Sequence, residues 1–147
     1  TKYSYTIKDK SGAELESAIC ANQPRVAVIN DDLLGVRFYV NDKTFCRYYD
    51  LKNGRVSDSF FNAFWDNGKL VAHHDYDNGH LLMVRDMFDE NGYYYELDLD
   101  VQALSITVTA CEQNEETGDL TVKYTYGDGG AEYSATLPTK PAESEDK

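Results

Sequence analysis

RVAVINDDLLGVRFYVNDKTFCRYYDLKNGRVS, residues 25–57, overlays HHDYDNGHLLMVRDMFDENGYYYELDLDVQALS, residues 73–105, at a shift of 48 residues without a gap. Eight of the 33 positions are identical: Asn30/Asn78, Leu33/Leu81, Leu34/Leu82, Val36/Val84, Arg37/Arg85, Asp50/Asp98, Leu51/Leu99 and Ser57/Ser105. Conservative matches such as Asn41/Asp89, Phe45/Tyr93 and Val56/Leu104 fall between them. The coincidences sit in apolar runs and at turns, where a shared strand layout places them.

In the first copy, Arg25–Asn30 reads as a short apolar strand and Asp31-Asp32 as a turn. Leu34–Val40 is a second strand and residues 44–51 a third. Asn53-Gly54 predicts a tight hairpin turn, because a type I′ turn needs positive φ at both central residues. Arg55–Phe61 completes a four-stranded antiparallel meander. In the second copy, Asn67-Gly68, Asn78-Gly79 and Asn91-Gly92 repeat the turn signals. A two-residue turn at Asn78-Gly79 sets His74 opposite Met83 and His73 opposite Val84. Leu70, Tyr76, Leu81, Met83 and Met87 then share one face, and Val71, Leu82, Val84 and Phe88 the other. Neither face is polar, so the sheet is expected to be covered on both sides. Strand 93–100 alternates more cleanly, with Tyr93, Tyr95, Leu97 and Leu99 inward and Tyr94, Glu96, Asp98 and Asp100 outward, as a charged edge strand would.

Outside the repeat, residues 3–19 carry two patterns. Ser11 and Glu14 form a capping box before a helical spacing, whereas Tyr3, Tyr5 and Ile7 alternate strictly before a Ser11-Gly12 turn. The hairpin is the stronger of the two. Residues 103–111 are β-rich, and residues 120–137 read as a C-terminal hairpin with a Gly-rich turn. The chain is expected to be one all-β domain over residues 1–138, with residues 139–147, TKPAESEDK, an acidic disordered tail.

The fold expected is therefore all-β: antiparallel meanders forming two blade-like four-stranded sheets plus a C-terminal hairpin. The step YYDLKNGRVS resembles the third-to-fourth strand connection of WD40-like or YVTN-like β-propeller blades. The matching positions are Tyr49, Asp50, Leu51, Gly54 and Val56, with Leu97, Asp98 and Leu99 in the second copy. Gln102 stands where the second copy would need its turn glycine, and neither copy carries a Trp-Asp signature. A closed propeller needs at least ~4 blades of ~40 residues, more than the 147 residues here. The resemblance thus implies a partial propeller, open face-packed sheets, or chains that associate. A looser similarity is to MORN-like hairpin repeats, since Gly68, Gly79 and Gly92 are spaced 11 and 13 residues apart. The further glycine those repeats place in each hairpin is missing.

With 26 acidic against 14 basic residues, the net charge of −12 disfavours nucleic acid and anionic membrane surfaces as partners. No apolar run reaches the ~18 residues of a membrane helix, and no segment reads as a signal peptide. The chain begins at Thr1 rather than Met, as a processed form would. Cys20, Cys46 and Cys111 make an odd count without a C-x-x-C pair, which leaves room for one bridge and no cysteine-rich zinc site.

Two sets of residues carry candidate chemistry. HHDYDNGH places His73, Asp75, Asp77 and His80 on one hairpin face, a ligand set for a divalent metal ion such as Zn²⁺. No other cofactor is expected. The aromatic excess, 12 Tyr and 6 Phe, offers surface rings with acidic neighbours. Tyr94 beside Glu96, and then Trp65, lead as ligand-binding candidates for sugar stacking or a protein partner. No G-x-S-x-G, H-E-x-x-H, P-loop or GxGxxG motif occurs. The expected function is a non-catalytic interaction module of a bacterial secreted or surface protein that binds protein or glycan. Unpaired sheet edges would lead it to form a homodimer or to lie within a longer chain. The alternative is a metal-dependent hydrolase built on the His73–His80 hairpin.

Overall fold

The computed structural model describes residues 2–78, 80–99, 106–126 and 131–140. Among them there is no helix, and so none long and apolar enough to cross a membrane. Among the described residues thirteen strands form four antiparallel sheets, none closed into a barrel. Strands β1 (Tyr3–Lys8) and β2 (Glu14–Cys20) make the first sheet. The second holds β3 (Arg25–Asn30), β4 (Leu33–Val40), β5 (Lys43–Asp50) and β6 (Arg55–Phe61) in chain order. The third holds β7 (Trp65–Asp66), β8 (Leu70–His74), β9 (Leu81–Asp86) and β10 (Tyr94–Asp98). The fourth sets β11 (Ile106–Gln113) beside the C-terminal hairpin of β12 (Leu120–Tyr126) and β13 (Tyr133–Leu137).

The hairpin reading of residues 3–19 is borne out, because Asp9 makes the turn. One oxygen of its carboxylate accepts the backbone N–H groups of Ser11 and Ala13, both at 2.9 Å. Gly12 completes the turn at φ 92°. In the second sheet, the turn with two positive φ values is Asn41-Asp42, at 50° and 68°. Asn53-Gly54 ends a longer loop instead, since Asp50 pairs with Arg55 and only Gly54 is left-handed. Asp50 organises that loop: its carboxylate accepts from the backbone N–H and side-chain amide of Asn53 and from the guanidinium of Arg55. Burial opposes its charged form, but these donors outweigh it and hold the carboxyl below its ordinary pKa.

The four sheets pack face to face in chain order. Ile7 meets Val36 and Tyr49 between the first and second sheets. Leu33, Cys46, Tyr48 and Phe60 meet Val71 and Met87 between the second and third. Leu70, Ala72, Leu82 and Val84 meet Leu120, Val122 and Leu137 between the third and fourth. The two inner sheets are thus apolar on both faces, the physical reason their strands do not alternate cleanly. The end sheets turn mostly polar faces outward: Ser4, Thr6 and Ser17 at one end, with the exposed Ile19 among them, and Thr107, Thr109, Thr121 and Lys123 at the other.

The repeat is out of phase with the sheets. β4 and β9 start at matching positions, and β5 and β10 end at matching positions, but the counterpart of β6 falls in β11, which belongs to the fourth sheet. The third sheet takes its fourth strand from Trp65–Asp66 on the N-terminal side. The register of β8 on β9 is also one residue from that of a two-residue turn, with His73 opposite Met83 and Ala72 opposite Val84. Asp75 causes the slip, because its carboxylate accepts the N–H of Asn78 at 2.9 Å and closes the chain into a wider loop. A one-residue slip regroups the faces. Leu70 and Ala72 now lie with Leu82 and Val84, and Val71 with Met87, so that each layer is matched. The expected roles of Gly79, Asp100, Gln102, Leu104 and Ser105, the Gly-rich turn at 127–130 and the tail from residue 141 lie outside the described residues.

Candidate functional site

The His73–His80 set does not assemble. Among the described residues no three His, Cys, Asp or Glu side chains group as metal ligands. His73 is buried in the layer facing the second sheet, its ring 5.0 Å from that of Phe60. Its Nδ1–H donates to the carbonyl of His74 at 2.8 Å, and its Nε2 is buried without a partner. Burial pushes its pKa down to about 4. His74 points to the opposite face, its ring edge-on to Phe64 at 5.6 Å. Asp75 is engaged with Asn78, Asp77 is exposed, and His80 lies 3.7 Å from Asp98. The slipped register and the alternation along β8 separate the four side chains.

Trp65 and Tyr94 are separated too. They lie on opposite edge strands of the third sheet, and Trp65 packs into the layer shared with the fourth sheet. Tyr94 and Glu96 face the other way, opposite Arg85 and Met83. Tyr94 is 52% exposed, and its hydroxyl donates to Glu96 Oε2 at 2.6 Å. The pairing with Glu96 raises its pKa to about 12, so it stays a donor.

What surrounds Tyr94 follows from how the sheets are offset. The edge strand β6 lies against β8, so β9 and β10 overhang it. At this step opens a cleft of about 410 Å³, lined by Ser57 and Asp58 on one side and by Arg85, Asp86, Glu90 and Tyr94 on the other. Arg85 ties the walls together, donating to Asp58 at 3.0 Å with its guanidinium 4.9 Å from the Phe60 ring centre. On the floor, Asp86 accepts the N–H groups of Phe88 and Asp89 at 3.0 and 2.8 Å. Gly92 lets the chain pass there, since a Cβ would come within 2.8 Å of that of Asp86. The cleft thus combines one half-exposed ring, one cation and several carboxylates. Sequence reasoning reached Tyr94 and Glu96 through the alternation of β10. It missed Asp58 and Arg85, whose meeting depends on the offset between two sheets.

A second aromatic group is internally satisfied. Phe38, Phe45 and Tyr76 stack in turn at 5.8 Å with interplanar angles of 20° and 27°. Phe61 closes on Tyr76 edge to face at 5.3 Å. Lys43 covers Phe61 and Tyr76, and Arg47 covers Phe38. The ring faces are spent on one another and on these cations, although Tyr76 stays 53% exposed, so the group reads as the clamp that holds residues 75–78 to the second sheet. The three cysteines are free thiols in three different sheets, so the bridge left open by their number does not form. The chain matches no protein-family model, no curated protein and no solved structure.

Proposed function

We propose that this chain is a non-catalytic binding module and that the Tyr94 cleft is its contact surface, with a glycan as the ligand class. The observation that carries the reading is the half-exposed Tyr94 ring standing over a cleft whose walls hold Asp58, Arg85 and Glu90. An aromatic face suits the C–H surface of a sugar, while carboxylates accept and a guanidinium donates hydrogen bonds to its hydroxyls. In the same proposal the two four-stranded sheets are blade-like units, and the module belongs to a bacterial secreted or surface protein, a placement supported by composition. No observation favours the metal-dependent hydrolase, whose four ligands stand apart.

A glycan array followed by titration of any hit tests the site. Tyr94→Ala is expected to weaken binding about tenfold, or ~1.4 kcal/mol, while Tyr3→Ala, on the first sheet, leaves it unchanged. An array without hits, or equal affinity for wild type and Tyr94→Ala, removes the glycan reading. A protein ligand lost on Tyr94→Ala would keep the cleft and change the ligand class.

A further inference from the structure

We infer that β3 is a self-association edge, and that its occupant is the β3 of a second copy, paired antiparallel about Val28. In the second sheet β3 is an edge strand, bonded to β4 on one side and to no other described strand. Other edges carry charge between the ends of the strand: Glu16 in β2, Asp58 in β6 and Glu96 in β10. Such charges are the usual guard against edge-to-edge pairing. The interior of β3 is Val26-Ala27-Val28-Ile29, with Val26 54% and Val28 73% exposed. β13 carries no charge at all, but the exposed side chains between its ends are Ser134 and Thr136. β3 alone among the described edge strands exposes two aliphatic side chains. The cause is unequal coverage: a two-stranded hairpin cannot cover a four-stranded sheet, and it leaves the β3 margin bare.

Charge selects the occupant. Arg25 stands at one end of β3 and the exposed Asp31 just past the other, each three residues from Val28. A twofold axis through Val28 sets Val28 against its copy and brings each Arg25 to the other copy's Asp31, an isologous, self-complementary contact. The bulge between Val28 and Asn30, together with Pro24, limits the pairing to a few residues. Such a contact lies at the small end of interface sizes, below about 1,200 Å², so the dimer fills at high protein concentration.

Sedimentation velocity on the chain from about 10 μM to about 1 mM is the test. Concentration-dependent dimerisation is expected, weakened about tenfold or more by Val28→Lys. Because Val28 is exposed and remote from the Tyr94 cleft, that variant keeps its fold and its ligand site, and the two proposals fail independently. Arg25→Asp is expected to weaken the dimer and the added Asp31→Arg to restore it. A wild-type chain monomeric throughout the range, or association indifferent to Val28→Lys, overturns the inference. A double variant no stronger than Arg25→Asp alone overturns the pairing about Val28.

Discussion

Tyr48-Tyr49 in the second sheet and His73-His74 in the third are two versions of one arrangement. In each, adjacent residues of a strand point to opposite faces of an inner sheet, and all four side chains are at most 4% exposed. The tyrosines are long enough to carry their hydroxyls out of the apolar layer. Tyr48 donates to Asp66 at 3.0 Å, and Tyr49 to Glu16, which also holds Arg47. Imidazole is shorter, and Nε2 of His73 stays within the layer without a partner. Burial raises the pKa of both tyrosines, which costs nothing near neutrality because the buried form is already neutral. The same burial lowers that of His73 into a range where solution pH matters. A buried polar group is tolerated when its reach matches the thickness of the layer, and becomes a pH liability when it does not.

Emptying one of these buried positions has the largest expected effect. Tyr48→Ala removes a ring packed 5.9 Å from Phe60 and leaves a cavity between the second and third sheets; a loss of about 3–5 kcal/mol is expected in denaturant unfolding. A smaller loss would mean that the layer collapses onto the gap.

Next comes pH. The folded-state pKa of His73, about 4, lies below the ordinary 6.5, so the unfolded chain binds the proton more tightly. Its neutral form therefore supports the fold fully above pH ~6.5, and up to about 3 kcal/mol is lost as pH falls from there through ~4. Carboxylates titrate nearby, so the reading comes from the difference between wild type and His73→Phe, which keeps a ring against Phe60. The variant curve is expected to be flatter in that window, and parallel curves would show that His73 is not the buried titrating group.

Removing a single tyrosine hydroxyl costs least. Tyr49→Phe removes one hydroxyl but leaves Glu16 paired with Arg47, and thermal unfolding should show a loss of about 1 kcal/mol. A loss several times larger would mean that Glu16 depends on the hydroxyl to hold its position.

Strand positions, turn sites and the need for cover on both faces of the inner sheets were legible along the chain. Tyr94 and Glu96 were legible for the same reason, because alternation along a single strand is a local property. The cleft was not: Asp58 and Arg85 are 27 residues apart and meet only because β9 and β10 overhang β6. The His73–His80 set misled because two histidines and two aspartates crowded on one hairpin suggest convergence, whereas alternation and the slipped register separate them.

Local chemistry, then, determined which residues form strands and where the chain turns, since side-chain period and the conformational freedom of Asn, Asp and Gly act within a few residues. The grouping of strands into sheets and the register of β8 on β9 were decided only in three dimensions. Strands that are apolar on both faces accept either of two neighbouring registers until a facing layer is present, and here Leu120, Val122 and Leu137 on one side and Phe60 on the other complete the fit.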